Sequence, residues 1–286
     1  MKELVILSGK GGTGKTSLTA AFASLSENSV LCDADVDAAD LHLLMNPSVL
    51  RRSDFMGGGL ASINAEKCTQ CGQCIDLCRF DAISQSFEIN DIECEGCGVC
   101  VDLCPEQAID FPTKKCGEWF ISDTRFGPLV HARLGIAEEN SGKLVTLVRQ
   151  EAKKFAETHQ RELIITDGPP GVGCPVIASV GGASALLVVT EPTVSGVHDM
   201  QRLLELAEHF KVPGMLCINK FDLNQDTTQS LEDIARKKDI PMVGKISFDR
   251  RFTTSMVQGK TIVEYTPNGQ LRLAIEKVWS NVCQHL

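Results

Sequence analysis

The sequence predicts an α/β protein with a mostly parallel sheet and helices on both faces, and three observations carry that prediction. Short apolar runs such as ELVIL, SVLC, ELIIT, ALLVVT and GMLCIN recur with helical stretches between them. A glycine-rich loop, GKGGTGKT, follows the first run directly. A cysteine-rich segment, duplicated within itself, interrupts the alternation after the second run. The 286 residues, 43% of them hydrophobic, suffice for one full core and a small second one. The expected organisation is a main domain in two parts, residues 1–57 and 114–286, with a small α+β domain, residues 58–113, inserted after a flexible MGGG stretch.

Composition narrows the function classes. No apolar run approaches the roughly 20 residues that span a bilayer, and the apolar start runs straight into the glycine loop. No signal peptide and no stable membrane insertion are expected, and the setting is expected to be cytoplasmic. In a reducing compartment thirteen cysteines point to metal or redox chemistry rather than disulfides. A net charge of −9 argues against a nucleic-acid partner, because neutralising phosphates takes clustered Lys and Arg.

The first run, residues 3–7, suits a buried parallel strand. Gly9 to Thr16 then match G-x-x-x-x-G-K-[ST], and SLTAAFASL reads as the helix behind the loop. Gly9, Lys10, Gly11, Gly12, Thr13, Gly14, Lys15, Thr16 and Ser17 are thus candidate nucleotide-binding residues. Backbone N–H groups wrap phosphates, the helix N-terminus adds its dipole, Lys15 reaches the outer phosphate oxygens, and Thr16 can ligate Mg²⁺. Asp33, Asp35 and Asp37 follow the second run, where carboxylates at a strand's C-terminal edge suit Mg²⁺ and a water nucleophile.

Lys10 at the second loop position makes GKGGTGKT resemble the deviant Walker A motif of the MinD/ParA and nitrogenase iron protein superfamily of P-loop ATPases. The resemblance implies that this lysine reaches a partner's nucleotide across a dimer, formed with itself or with a related ATPase. The ELIIT run ends in Asp167, and DGPPG resembles the family's Walker B and switch II segment, which implies Asp167 at Mg²⁺ and Gly171 at the γ-phosphate. The same resemblance nominates Asn219, in NKFD, to read adenine, and Asp249, in KISFD, for the loop over the base. Lys10 and Lys15 would stabilise charge during ATP hydrolysis, with Asp35 or Asp37 orienting the water.

Shifting the chain by 26 positions superposes INAEKCTQCGQCIDLCRFDAI, residues 63–83, on INDIECEGCGVCVDLCPEQAI, residues 89–109. Each copy carries C-x₂-C-x₂-C-x₃-C, the spacing of two-cluster bacterial ferredoxins, in which the fourth cysteine serves the other cluster. The resemblance assigns Cys68, Cys71, Cys74 and Cys104 to one [4Fe–4S] cluster, and Cys78, Cys94, Cys97 and Cys100 to the other. Pro105 follows the last cysteine as in ferredoxins, whereas Arg79 stands at the equivalent place in the first copy. Zinc is the bland alternative, but its ribbons pair two C-x₂-C knuckles roughly 15–20 residues apart.

The whole chain resembles MinD-superfamily ATPases with an inserted two-cluster ferredoxin domain, a type often labelled cobyrinic acid a,c-diamide synthase-like; such synthases add a C-terminal glutaminase domain, and neither that domain nor synthase activity is expected here. ATP, Mg²⁺ and two [4Fe–4S] clusters are the implied cofactors. The implied activity is ATP hydrolysis that gates electron transfer to or from a redox partner protein. The rival readings are an iron–sulfur cluster carrier or assembly ATPase and a MinD-like positioning or complex-assembly ATPase. Cys174, seven residues after Asp167, resembles in position a cluster-ligating cysteine of the nitrogenase iron protein, and Cys116 is a conceivable mate for an extra cluster or redox site. Cys32, Cys217 and Cys283 read as packing. Residues 270–286 read as an amphipathic helix on the core, and the stretch from Arg125 to Arg133 as either a docking surface with His131 exposed or a plain strand and loop.

Overall fold

The computed structural model describes residues 1–135 and 141–286. Its contacts divide the chain into a larger unit of Met1–Arg52, Trp119–Arg133 and Ser141–Leu286, and a smaller one of Ser53–Glu118 with Leu134–Asn140, of which 136–140 lie outside the described residues. Eleven strands are described: β1 (Lys2–Ser8), β2 (Ser29–Asp33), β3 (Ser48–Gly59), β4 (Ser62–Ile63), β5 (Ile109–Asp110), β6 (Thr113–Asp123), β7 (Leu129–Leu134), β8 (Leu163–Pro170), β9 (Ala185–Thr190), β10 (Gly214–Asn219) and β11 (Met242–Ile246). Nine form one sheet in the order β11-β10-β9-β1-β8-β2-β7-β6-β3. From β11 through β7 every neighbouring pair is parallel.

The apolar runs are continuous because both faces of this sheet are covered. Along β1 the side chains alternate: Leu4 and Ile6 enter one core with Leu18, Phe22, Ile275 and Val278, and Val5 and Leu7 enter another with Val176, Met200, Leu203 and Leu231. Helices Lys15–Leu25 and Gln270–Gln284 cover the first face, and Cys174–Val180, Val194–His209 and Gln225–Lys237 the second. In the C-terminal helix Leu271, Ile275, Val278 and Val282 are all buried, spaced so as to share one stripe. The parallel register sets Asp33 beside Asp167 across β2 and β8. Aspartates from two different runs therefore meet at one edge of the sheet.

The smaller unit repeats its local structure along with its sequence. Helices Gln73–Leu77 and Val99–Asp102 both start behind a left-handed glycine, Gly72 at φ 83° and Gly98 at φ 75°. The Asn64 carbonyl accepts from Cys68 N and the Asn90 carbonyl from Cys94 N, and each asparagine side chain accepts from the N–H two residues on. β4 and β5 pair antiparallel through Ser62 with Asp110 and Ile63 with Ile109.

Two expectations, at MGGG and at Cys283, need correction, and of the two readings of Arg125 to Arg133 the structure shows the plain strand and loop. The MGGG stretch is no flexible linker, because Met56–Gly59 lie within β3. A Cβ on Gly57 would stand 2.8 Å from the Phe55 ring, and one on Gly59 2.6 Å from the Phe111 ring, so these glycines admit aromatic rings against the strand. His131 is buried, not exposed: it sits inside β7, with Nε2 3.0 Å from Ser122 Oγ and its ring stacked on Phe120. Cys283 is exposed, one position past the buried stripe at Val282, while Cys32 and Cys217 are fully buried as expected. Burial pushes both buried thiols up, Cys217 to about 12. Cys116 is fully buried in β6 and its thiol donates to the Gly57 carbonyl.

Candidate functional site

β1 ends at Ser8, whose hydroxyl donates to the Lys10 carbonyl at 3.0 Å and starts the glycine loop. Gly12 at φ 80° and Gly14 at φ 90° adopt left-handed backbone that an L side chain resists. Gly14 is also held to glycine by space, since a Cβ there would collide with the Asn219 amide. Helix Lys15–Leu25 begins immediately, so the loop delivers Lys15 and Thr16 at the helix N-terminus.

Lys15 is buried, with Nζ 3.0 Å from Asp167 Oδ1 and 3.5 Å from Asp35 Oδ2. Burial alone would lower its pKa, but Asp167, Asp35 and Asp33 outweigh that and hold the ammonium above its ordinary pKa. Thr16 Oγ1 donates to Asp167 Oδ2 at 2.7 Å, and Thr19 Oγ1 fixes the other carboxylate oxygen at 2.8 Å. Burial raises Asp35 to about 6, opposed by Lys15 and assisted by Asp167. Burial also raises Asp33 well above its usual range, with Asp167 adding to it. Asp33 accepts from the N–H groups of Asp35 and Leu41, so it anchors the loop rather than facing the phosphate lysine. Lys15, Thr16, Asp35 and Asp167 thus converge, whereas Asp37 is exposed.

Asn219, at the end of β10, donates to the Thr13 carbonyl at 2.7 Å. A cavity of about 180 Å³ runs from Gly12, Gly14 and Ser17 past Asn219 to Asp249 and Phe252. Its walls join the back of the glycine loop to both residues nominated for the base. Asp249 is held below its usual pKa by Arg251, whose Nη2 lies 2.6 Å away. Gly171, at φ 91°, donates its N–H to the Ser8 carbonyl at 3.0 Å and so ties the end of β8 to the start of the loop.

Lys10 points to a residue that sequence reasoning missed. Its Nζ lies 2.7 Å from Glu191 Oε1, 3.3 Å from Thr193 Oγ1 and 3.2 Å from Ser195 Oγ. The other Glu191 oxygen takes Lys220 Nζ at 2.9 Å, and Lys220 also donates to the Gly12 carbonyl at 2.7 Å. Burial raises the pKa of Glu191, but Lys10 and Lys220 outweigh it and hold the carboxylate ionised. The available signal was position: Glu191 and Lys220 each directly follow an apolar run, at the strand ends where α/β proteins gather ligand groups.

In the smaller unit the cysteines ring two cavities. One is lined by Cys68, Cys71, Cys74 and Cys104, and the other by Cys78, Cys94, Cys97 and Cys100. Ile63, Phe87 and Ile109 close the first with apolar surface, and Phe80, Ile89 and Phe111 the second. Burial raises the thiols of Cys74 and Cys100. N–H groups reach the sulfurs as well, Gln70 to Cys68 Sγ at 3.4 Å and Ala108 to Cys104 Sγ at 3.3 Å. Among the described residues no three His, Cys, Asp or Glu side chains converge on a point where one metal ion would sit. Cys174 is exposed in the first turn of helix Cys174–Val180, in the larger unit.

A glycine loop closing on a buried lysine, with a threonine and an aspartate from the neighbouring strand behind it, defines a P-loop ATPase. The chain belongs to the CobQ/CobB/MinD/ParA nucleotide binding domain family, whose model matches residues 4–262. It is 38% identical over 225 residues to the uncharacterized protein MJ0578 of Methanocaldococcus jannaschii, covering 78% of this chain and 79% of that one. Septum site-determining protein MinD of Pyrococcus horikoshii OT3, complexed with Mg-ADP, shares the fold at a TM-score of 0.60 and 16% identity, over 98% of this chain and 95% of that one. A MinC:MinD cell division protein complex of Aquifex aeolicus gives a TM-score of 0.60 at 18% identity, over 99% and 96%. Among the described residues no helix is long and apolar enough to cross a membrane.

Proposed function

We propose that this chain is a cytoplasmic ATPase that holds two [4Fe–4S] clusters and uses its nucleotide state to gate electron transfer to or from a partner protein. The observation that carries the reading is the composition of the two cysteine cavities. Each gathers three thiols from one repeat and one from the other, Cys104 in the first and Cys78 in the second. That donor set, with apolar walls and N–H groups aimed at sulfur, fits a thiolate-bound cluster in a ferredoxin-like domain of residues 58–113. A cluster bound in each cavity would supply the capacity to take up and release one electron.

In the main domain, residues 1–57 and 114–286, the side chains divide the work of binding and hydrolysing Mg-ATP. Lys15 neutralises phosphate charge, Thr16 and Asp167 hold Mg²⁺ with Asp35 in support, and Asn219 and Asp249 border the base. A Thr16 hydroxyl committed to Mg²⁺ would give up its bond to Asp167 and so loosen one tie between the helix behind the loop and β8. The Gly171 N–H, bonded to the Ser8 carbonyl, is a second tie at the same end of the strand. A shift of about 100 mV in a one-electron potential corresponds to about 2.3 kcal/mol, inside the roughly 1–3 kcal/mol of ordinary coupling between sites. A small rearrangement suffices for such gating, in a homodimer or in a pair with a related ATPase.

A second reading, a MinD-like positioning or complex-assembly ATPase, is favoured by the likeness to MinD along nearly the whole chain. Anaerobic purification with iron and sulfide assay, then EPR redox titration without nucleotide, with MgADP and with a non-hydrolysable ATP analogue, separates the two. Eight irons per chain and potentials that move with nucleotide are the expected result. Fixed potentials would favour the positioning reading, and zinc in place of iron would remove the clusters from the account.

A further inference from the structure

We infer that Glu191 is a positioning residue that parks Lys10 away from the phosphates and shares that duty against Lys220, so that it sets how strongly the site prefers a nucleoside triphosphate to a diphosphate. The inference rests on the ATPase reading of this site and is independent of what the cysteines hold. One carboxylate faces two ammonium groups: Oε1 takes Lys10 at 2.7 Å and Oε2 takes Lys220 at 2.9 Å. A single negative charge cannot fully neutralise two cations, so each lysine weakens the other's hold on Glu191.

The two lysines are unequally bound. Lys220 has a second anchor in the Gly12 carbonyl at 2.7 Å, which fixes it to the loop backbone. Beyond Glu191, Lys10 has only the longer contacts to the hydroxyls of Thr193 and Ser195, and 37% of its side chain is exposed. Lys10 is therefore the one that leaves when a stronger anion arrives. A triphosphate brings more negative charge to the loop than a diphosphate does, so the release of Lys10 is favoured most by the triphosphate. Lys220 stays and keeps Gly12 in its left-handed turn while Lys10 moves.

The test is the ratio of affinities for a non-hydrolysable ATP analogue and for ADP, measured by isothermal titration with Mg²⁺ on the full chain. Glu191→Gln frees Lys10 and should raise that ratio on the order of fivefold, the scale of one partly exposed ion pair. Lys220→Met leaves the whole carboxylate to Lys10 and should move the ratio the other way. In a Lys10→Met background the Glu191→Gln effect should vanish, which a double-mutant cycle reads directly. An equal change in ADP and ATP-analogue affinity, or an effect that persists without Lys10, would overturn the inference. Failure of the wild-type chain to bind either nucleotide would overturn the ATPase reading itself, a distinct outcome.

Discussion

The two units of the chain solve the problem of stability in opposite ways. In the larger one β1, β8, β9 and β10 carry side chains with no exposure at all, and two separate cores flank the sheet. In the smaller one the best-buried large apolar side chains, Phe55, Ile83 and Ile109, keep 6–7% exposure, while Phe80, Val99 and Leu103 are 41–49% exposed. Its helices, Gln73–Leu77 and Val99–Asp102, are too short to stand without support. A core of that size rarely supplies more than about 3–5 kcal/mol, so such scaffolds depend on staples. On the proposed reading, clusters bound by the eight cysteines around the two cavities would provide them. The comparison then teaches that the groups that carry the electrons would also be the condition for their own unit to fold.

The sharpest way to break the comparison is to remove the staples. Stripping iron with a chelator, or Cys71→Ser, should lower the opening free energy of the region 53–118 by about 3 kcal/mol or more, read by hydrogen exchange, while nucleotide binding stays unchanged. Equal loss of protection in both units would mean that the larger core does not stand alone. The converse experiment is Lys15→Met, expected to cut ATP turnover about 10²-fold or more without altering iron content.

A subtler contrast uses His131, whose pKa is pushed from 6.5 down to about 4 by burial and by the neighbouring His42 ring. Below pH 6.5 the unfolded chain accepts a proton that the folded chain refuses, so stability of the larger unit should fall between pH 6.5 and about 4 and level off beneath. The loss should be on the order of 2–3 kcal/mol in urea titrations, and His131→Gln should flatten it. The smallest effect expected is at Thr261, which caps the helix Ile262–Tyr265 in a capping box with Glu264. Thr261→Ala should cost about 1 kcal/mol in the same titrations.

Much of this was legible in the sequence because the signals were local. The runs ELVIL, ALLVVT and GMLCIN are buried on both faces, and a chain buried that way has little choice of residue. The glycine loop advertises itself because its backbone geometry admits few side chains, and the duplicated cysteines because their spacing repeats. Glu191 and Lys220 were missed because their meaning lies in pairing across 29 and 208 positions, with each other and with Gly12. The stretch from Arg125 to Arg133 stayed open between surface and strand because a histidine reads as exposed until its partners are known: the Ser122 hydroxyl and a stack of rings satisfy the His131 imidazole inside the sheet. MGGG was misread because glycine signals both looseness and close approach, and only the rings of Phe55 and Phe111 decide between them.

The exchange of one cysteine between the repeats also fixes an order in time. As the chain leaves the ribosome, the cavity of the second repeat has all its thiols once Cys100 has emerged, because its borrowed member, Cys78, was made earlier. The cavity of the first repeat must wait for Cys104. The thiol set of the repeat synthesised first is thus the one completed last, and neither repeat could supply its present set of four had it been translated alone.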